Sequence, residues 1–357
     1  MIKSVYIHIP FCNNICNYCD FCKFYYNKNW LDSYLISLKN EIINNYKQEK
    51  LKTIYIGGGT PSILNVSELK ELFKIISVFN KEELEEFTIE CNPEDITEEK
   101  LKLFKENGVN RISLGIQSFN KKILEELGRN VDVDLYEKIN LCKKYFNNIS
   151  IDLIYGYFDQ TLDDLKEDLK EIINISINHV SCYSLQIEKN TKFYNKKNID
   201  EELDSEMFKL INNTLEENGF NHYEVSNYSK EGYESKHNLT YWNNEEYYGF
   251  GLSASSYIDN KRITNTRNFT NYIKGINKQE IEILTKEDKM KYEMILGLRK
   301  IKGINKKEFY EKYKLDIYEA FDINRLINLG YIIDNKKNIF INKDYIYLSN
   351  EILINFI

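Results

Sequence analysis

No stretch of this 357-residue chain approaches the roughly eighteen uninterrupted apolar residues of a membrane-spanning helix. Nor does the N-terminus carry an apolar region of signal-peptide length, so the chain is expected to be cytoplasmic. A dominant block of one charge is also missing. The formal charge of -7 is spread along the sequence, which argues against nucleic acid as a partner. Without a secretion signal, Asn-x-Ser/Thr triplets such as those at Asn65 and Asn238 read as chance matches in an Asn-rich chain. Histidine is scarce, with four in all, so each can be weighed singly.

What is present is an ordinary globular composition, 42% apolar, and a regular rhythm. Short β-branched and aromatic runs ("SVYIHI", "TIYIGG", "FTIECN", "RISLGI", "SIDLIYG", "HVSCYSLQ") alternate with amphipathic stretches such as "SELKELFKIISVF" and "TLDDLKEDLKEIINI". Repeated βα units of this kind form a parallel sheet. Six of them over residues 1–215 predict an α/β fold built on an incomplete (β/α)6 barrel, although an open doubly wound sheet would give the same string. Residues 216–280, rich in Tyr and Asn, read as an irregular segment packed on the core. Residues 281–357 read as a small helical, winged-helix-like domain ending in the hairpin "GYIID"/"NIFIN".

The chemistry-bearing residues fall at strand ends, where the loops of such a sheet converge. Four of the seven cysteines lie in "FCNNICNYCDFC", spaced Cys12-x3-Cys16-x2-Cys19-x2-Cys22, while Cys91, Cys142 and Cys182 are scattered. A reducing compartment favours metal chemistry or core packing over disulfides. Zinc sites usually draw two Cys pairs from across a gap, and no gap exists here. One compact loop offering three thiolates suits a cubane iron–sulfur cluster, with zinc and a disulfide knot as the lesser alternatives. Three ligands on four irons leave one iron open to a small molecule.

This spacing resembles the signature of radical S-adenosylmethionine enzymes. The ordered set "YIHIPFC…C…CDF", "GGGTPS", "GIQSF", "LGR", "DLIYG", "YEVSNYS" and "HNLTYW" is similar to the oxygen-independent coproporphyrinogen oxidase-like family. Phe21, where the oxidases carry a further cysteine, together with "HNLTYW" places the resemblance on that family's heme-chaperone branch. The resemblance implies that Cys12, Cys16 and Cys19 hold a [4Fe-4S] cluster beside Tyr6, and that the open iron takes S-adenosylmethionine. It further implies that Gly58, Gly59 and Thr60 line the methionine moiety, and that Glu90, Gln117, Arg129 and Asp152 contact the cofactor or a second ligand. Cys22, which would close the open iron, is read as a free thiol.

The motif around His237 is linked in that branch to heme. A neutral imidazole flanked by Tyr241 and Trp242 could ligate heme iron, against a purely structural role. His8 could hydrogen-bond the cluster or be a satisfied core residue, and His179 and His222 look structural. Val131 and Ser255 stand where the family often has His, and Phe158-Asp159 where Pro-Gly is usual, which weighs against radical chemistry on a porphyrin. The implied function is a heme chaperone that binds the cluster, S-adenosylmethionine and heme. The alternative is an oxygen-independent coproporphyrinogen III oxidase or another radical enzyme on a tetrapyrrole. The partners this implies are a heme-acceptor protein, an electron donor, membrane-bound acceptors touched peripherally, and a second copy of the chain.

Overall fold

The structure, a computed structural model, describes residues 1–196 and 200–357. Six strands follow the expected runs: β1 (Ser4–Ile9), β2 (Thr53–Gly58), β3 (Glu86–Cys91), β4 (Arg111–Gln117), β5 (Asn148–Tyr155) and β6 (His179–Ser184). They lie side by side in chain order, all parallel. Helices α1 (Lys28–Asn45), α2 (Val66–Ile76), α3 (Glu98–Glu106), α4 (Lys121–Leu127), α5 (Leu135–Tyr145), α6 (Leu162–Ile175) and α7 (Glu201–Glu217) fill the crossovers. Side-chain caps start them: Asn65 and Thr161 form reciprocal capping boxes with Glu68 and Asp164.

Side-chain alternation sorts the strands into two faces. Val5, Ile7, Ile54, Ile56, Phe87, Ile89, Ile112, Leu114, Ile151 and Val180 join one apolar core with helix residues such as Leu38, Leu72, Phe104 and Leu169. The alternate residues, among them Ser4, Tyr6, His8, Thr53, Tyr55, Glu86, Glu90, Arg111, Ser113, Asp152, His179 and Ser181, fill the concave side. This polar interior makes an incomplete barrel whose chemistry sits inside it.

Residues 216–280, expected to be irregular, are ordered. The hairpin β7 (Asn221–Glu224) and β8 (Asn227–Ser229) adds to the free edge of β6. After α8 (Lys236–Trp242), strand β9 (Tyr248–Phe250) pairs parallel with β1 on the opposite edge, giving nine strands. Strands Ser255–Ile258, Lys261–Asn265 and Lys278–Ile283 form a separate antiparallel sheet. Elements this short show no period in the sequence, which is why they escape it. The expected boundary after residue 280 falls inside the last of these strands. Beyond it come helices Lys286–Gly297, Lys306–Tyr313, Ile317–Ala320 and Ile323–Asn328 and the hairpin Ile332–Asp334/Asn338–Ile341, as expected. No helix among the described residues is long and apolar enough to cross a membrane.

Candidate cluster and cofactor site

The cysteine loop leaves β1 and is closed at its neck. Phe11–Cys12 pairs with Phe24–Tyr25, and Tyr26 donates its amide to Cys12 O at 2.9 Å. Its far side is tied to the end of α4: Asn17 donates its amide to Leu127 O at 3.0 Å and its side chain to Glu126 O at 2.8 Å, and Asn14 reaches Gly128 O at 2.6 Å. Gly128 ends that helix in the left-handed region, φ 73°. The next residue, Arg129, donates to Cys16 Sγ at 3.5 Å and to Asn92 Oδ1 at 2.9 Å. Asn92 donates in turn to Thr60 Oγ1 at 3.0 Å. The "LGR", "ECNPED" and "GGGTPS" motifs, distant in sequence, thus meet around one loop.

Cys12 is buried, and burial together with the nearby Cys19 and Cys16 pushes its thiol up to about 12. Cys22 differs. Burial raises its thiol while Arg267 counters, and no other cysteine perturbs it; its Sγ faces Arg267 O at 3.8 Å. Among the described residues no three His, Cys, Asp or Glu side chains are gathered tightly enough for a single metal ion. A zinc tetrahedron with bonds near 2.3 Å would bring thiolates within about 3.8 Å of each other, whereas a cubane spreads them wider.

The glycine run serves the protein's own groups. A Cβ on Gly59 would lie 2.6 Å from Phe11 O and 3.0 Å from Cys12 Sγ. One on Gly57 would lie 2.7 Å from the Glu90 carboxyl carbon, and one on Gly58, φ 119°, 2.5 Å from His8 Nδ1. The Gly58 amide does approach a carboxylate closely, and that carboxylate is Glu90, at 3.0 Å. Tyr55 donates its hydroxyl to the other Glu90 oxygen at 2.8 Å. Burial raises Glu90 to about 7, with the bonds from Tyr55 and Gly58 opposing and nearby Asp152 adding to the rise. Asp152 is also raised by burial, against hydrogen bonds from Ser181 and Ser113.

A cavity of about 720 Å³ opens over these groups. Cys12, Cys16, Cys19, Tyr6, Gly58, Gly59, Thr60, Glu90, Gln117, Arg129 and Asp152 all line it, and so do Cys22 and Ser255. Its size suits one drug-sized ligand. Three convergent thiols and two half-buried carboxylates fit an iron–sulfur cluster and a hydroxyl-bearing, cationic cofactor.

His237, expected as a heme ligand, is placed on the floor of the barrel. It is buried on α8, with Nδ1 2.8 Å from Thr53 Oγ1, Nε2 2.7 Å from the Tyr241 hydroxyl, and its ring stacked on Tyr55 at 5.1 Å. Burial, aided by the Arg111 charge, holds it neutral, down to about 3. Both ring nitrogens have hydroxyl partners, and the residue does not line the cavity. Its partner Thr53 begins β2, at the end opposite the glycine run: α8 closes the floor of the barrel. Lys236 and His237 donate their amides to Glu86 at 2.9 and 3.1 Å, and Thr240 meets Ser4 at 2.9 Å.

The other histidines are likewise occupied. His8 accepts from Tyr6 at 2.9 Å and donates to Cys22 O at 2.9 Å, which fixes the loop rather than a cluster sulfur. His179 bridges Ser150 and Tyr223, and His222 stacks on Tyr228 at 4.3 Å. Sequence reasoning missed Asn92, Tyr55 and Arg111. Arg111 is 2% exposed, lines the cavity, and its Nε has no partner. The signal available for it was the alternation in "RISLGI", which puts Arg111, Ser113 and Gly115 on one face.

Residues 6–172 match the Radical SAM superfamily and residues 284–343 the HemN C-terminal domain. The chain is 39% identical to the heme chaperone HemW of Lactococcus lactis, over 99% of this chain and 97% of that protein. It is also 39% identical to HemW of Bacillus subtilis, over 98% of each. The solved structure of coproporphyrinogen III oxidase from Escherichia coli, described as a radical SAM enzyme, superposes with a TM-score of 0.86 over 99% of this chain and 90% of that one, at 21% identity. That likeness concerns the fold alone.

Proposed function

Because the chain belongs to the HemW branch of the radical SAM, coproporphyrinogen oxidase-like family, we propose that it is a heme chaperone. It binds a [4Fe-4S] cluster and S-adenosylmethionine and passes heme to an acceptor protein, with a separate electron donor reducing the cluster. The observation that carries this reading is the 39% identity, over nearly the full length, to two proteins named heme chaperones, joined to a cavity lined by the residues expected for the cluster and S-adenosylmethionine.

In this reading Cys12, Cys16 and Cys19 hold three irons, and Cys22, turned toward Arg267, leaves the fourth to the cofactor. When bound, the cluster supplies one electron at the sulfonium. The chain's own residues do the rest. Glu90 and Asp152 would accept hydrogen bonds from hydroxyl or amine groups of the cofactor, and in ionised form their charge would complement a sulfonium. Arg129, wedged between Cys16 and Asn92, offsets thiolate charge and keeps the loop against β3 and β4. His237 lies outside the cavity, so residues other than His237 would hold heme there.

The test is anaerobic reconstitution followed by titration with heme. About four irons per chain are expected, together with a reduced-cluster spectrum perturbed by S-adenosylmethionine and saturable heme binding. Replacing Cys12, Cys16 or Cys19 by Ala should abolish the cluster, and Cys22→Ala should retain it. Cluster loss in the Cys22 variant, or no heme binding by the intact protein, would overturn the reading.

A further inference from the structure

If His237 is not a ligand, its motif needs another role, and the barrel interior supplies one. Tyr55 stands midway along β2. Below it the His237 ring lies nearly parallel, 29° from its plane, at 5.1 Å. Above it the Tyr55 hydroxyl reaches Glu90, and the second oxygen of Glu90 takes the Gly58 amide. A tilted Tyr6 ring, 6.0 Å away, flanks Tyr55 on the β1 side. The links are directional, buried at His237 and half-buried from Tyr55 to Gly58. The Tyr55 ring is held at its far end by the bond to Glu90 and on its face by the imidazole beneath it, so the imidazole helps set where the hydroxyl points. The imidazole is pinned at both nitrogens, to β2 through Thr53 and to its own helix through Tyr241. The helix is anchored by the Glu86 carboxylate at its N-terminus.

We propose that His237 is a positioning residue for the cofactor loop: from the floor of the barrel it fixes the Tyr55 ring, Tyr55 orients the Glu90 carboxylate, and Glu90 holds the Gly58 amide at the mouth. The "HNLTYW" helix is then a plug that sets the geometry of the S-adenosylmethionine site. Outer-shell groups of this kind typically change affinity 10- to 100-fold when removed, because the group that touches the ligand loses its orientation. The inference rests on the cofactor reading and does not depend on heme.

The experiment measures S-adenosylmethionine affinity by calorimetry on the anaerobically reconstituted protein, with the cluster spectrum as the control for an intact site. His237→Gln keeps a hydrogen-bonding amide on the floor and removes the ring, and Tyr55→Phe keeps the ring and removes the hydroxyl. Each is expected to weaken binding roughly tenfold, and the double variant no more than the worse single, because both act along one path. The Soret band of added heme should be the same in His237→Gln as in the unaltered chain. A merely structural His237 would lower thermal stability while the folded protein bound the cofactor normally; that result, or fully additive losses, would overturn the proposal. So would a changed Soret band. Should His237→Gln fail to fold, Thr53→Val, which strips only the Nδ1 partner, carries the same criteria. Absence of cofactor binding by the unaltered chain would instead refute the cofactor reading.

Discussion

At the residue scale, the titration of Glu90 gives the most specific expectation. Its proton is held up to about 7 by burial and by Asp152, while the bonds from Tyr55 and Gly58 and the Arg111 charge work the other way. A carboxylate raised above its ordinary value favours the fold at low pH, and that contribution is lost as pH rises through about 7. Cofactor binding runs opposite, since only the ionised form accepts hydrogen bonds with both oxygens. S-adenosylmethionine affinity should therefore fall as pH drops through about 7. Tyr55→Phe removes a bond that favours the charged form, so the fall should move to higher pH. Affinity against pH from 6 to 8.5 checks this, and a flat profile in both proteins would exclude Glu90. Part of this site was legible: the cysteine spacing singled out the cluster loop, and the family resemblance named eight further residues, which line the same cavity as Cys12, Cys16 and Cys19. The glycine run was legible only in part. Its small residues were expected to admit a ligand, yet they also clear space for Cys12, His8 and Glu90, contacts that no local pattern encodes.

At the scale of elements, α1 and the segment after β9 are joined by one buried acid. Glu41 accepts the Gly251 amide at 2.9 Å, Asn265 Nδ2 at 2.6 Å and the Tyr272 hydroxyl at 2.6 Å. Removing it would strand three buried donors, so Glu41→Ala should cost roughly 3 kcal/mol or more in denaturant unfolding, while Glu41→Gln, which keeps one acceptor oxygen, costs less. Equal stability of the Ala variant would mean that this segment docks by its apolar contacts instead. The long periodic helices α1, α2, α3 and α6 and all six parallel strands could be read from the sequence, because burial on one side imposes a period. Strand β9, the β7–β8 hairpin and α8 could not. Each is only three to seven residues long and is fixed by tertiary partners: β1, β6 and Glu86.

At the scale of the molecule, the parts form one device. Six βα units place thiols and carboxylates around a single cavity, the plug helix closes its floor, and the sheet after β9 together with the cysteine loop frames its mouth. His237 shows where sequence reasoning ran out. An aromatic-flanked histidine in a motif reads as a ligand, and no local pattern reveals that both its nitrogens meet hydroxyls on the barrel floor. The cavity is that of a heme-handling protein and not of an oxidative decarboxylase. Ser255 and Val131, standing where histidines are common in the family, fit that claim, since neither can donate a proton as imidazole does. The most direct measurement is anaerobic incubation of the reconstituted protein with coproporphyrinogen III, S-adenosylmethionine and a reductant, with tetrapyrrole products resolved by chromatography. The account predicts unchanged coproporphyrinogen from a preparation that still binds heme. Turnover to protoporphyrinogen would contradict it.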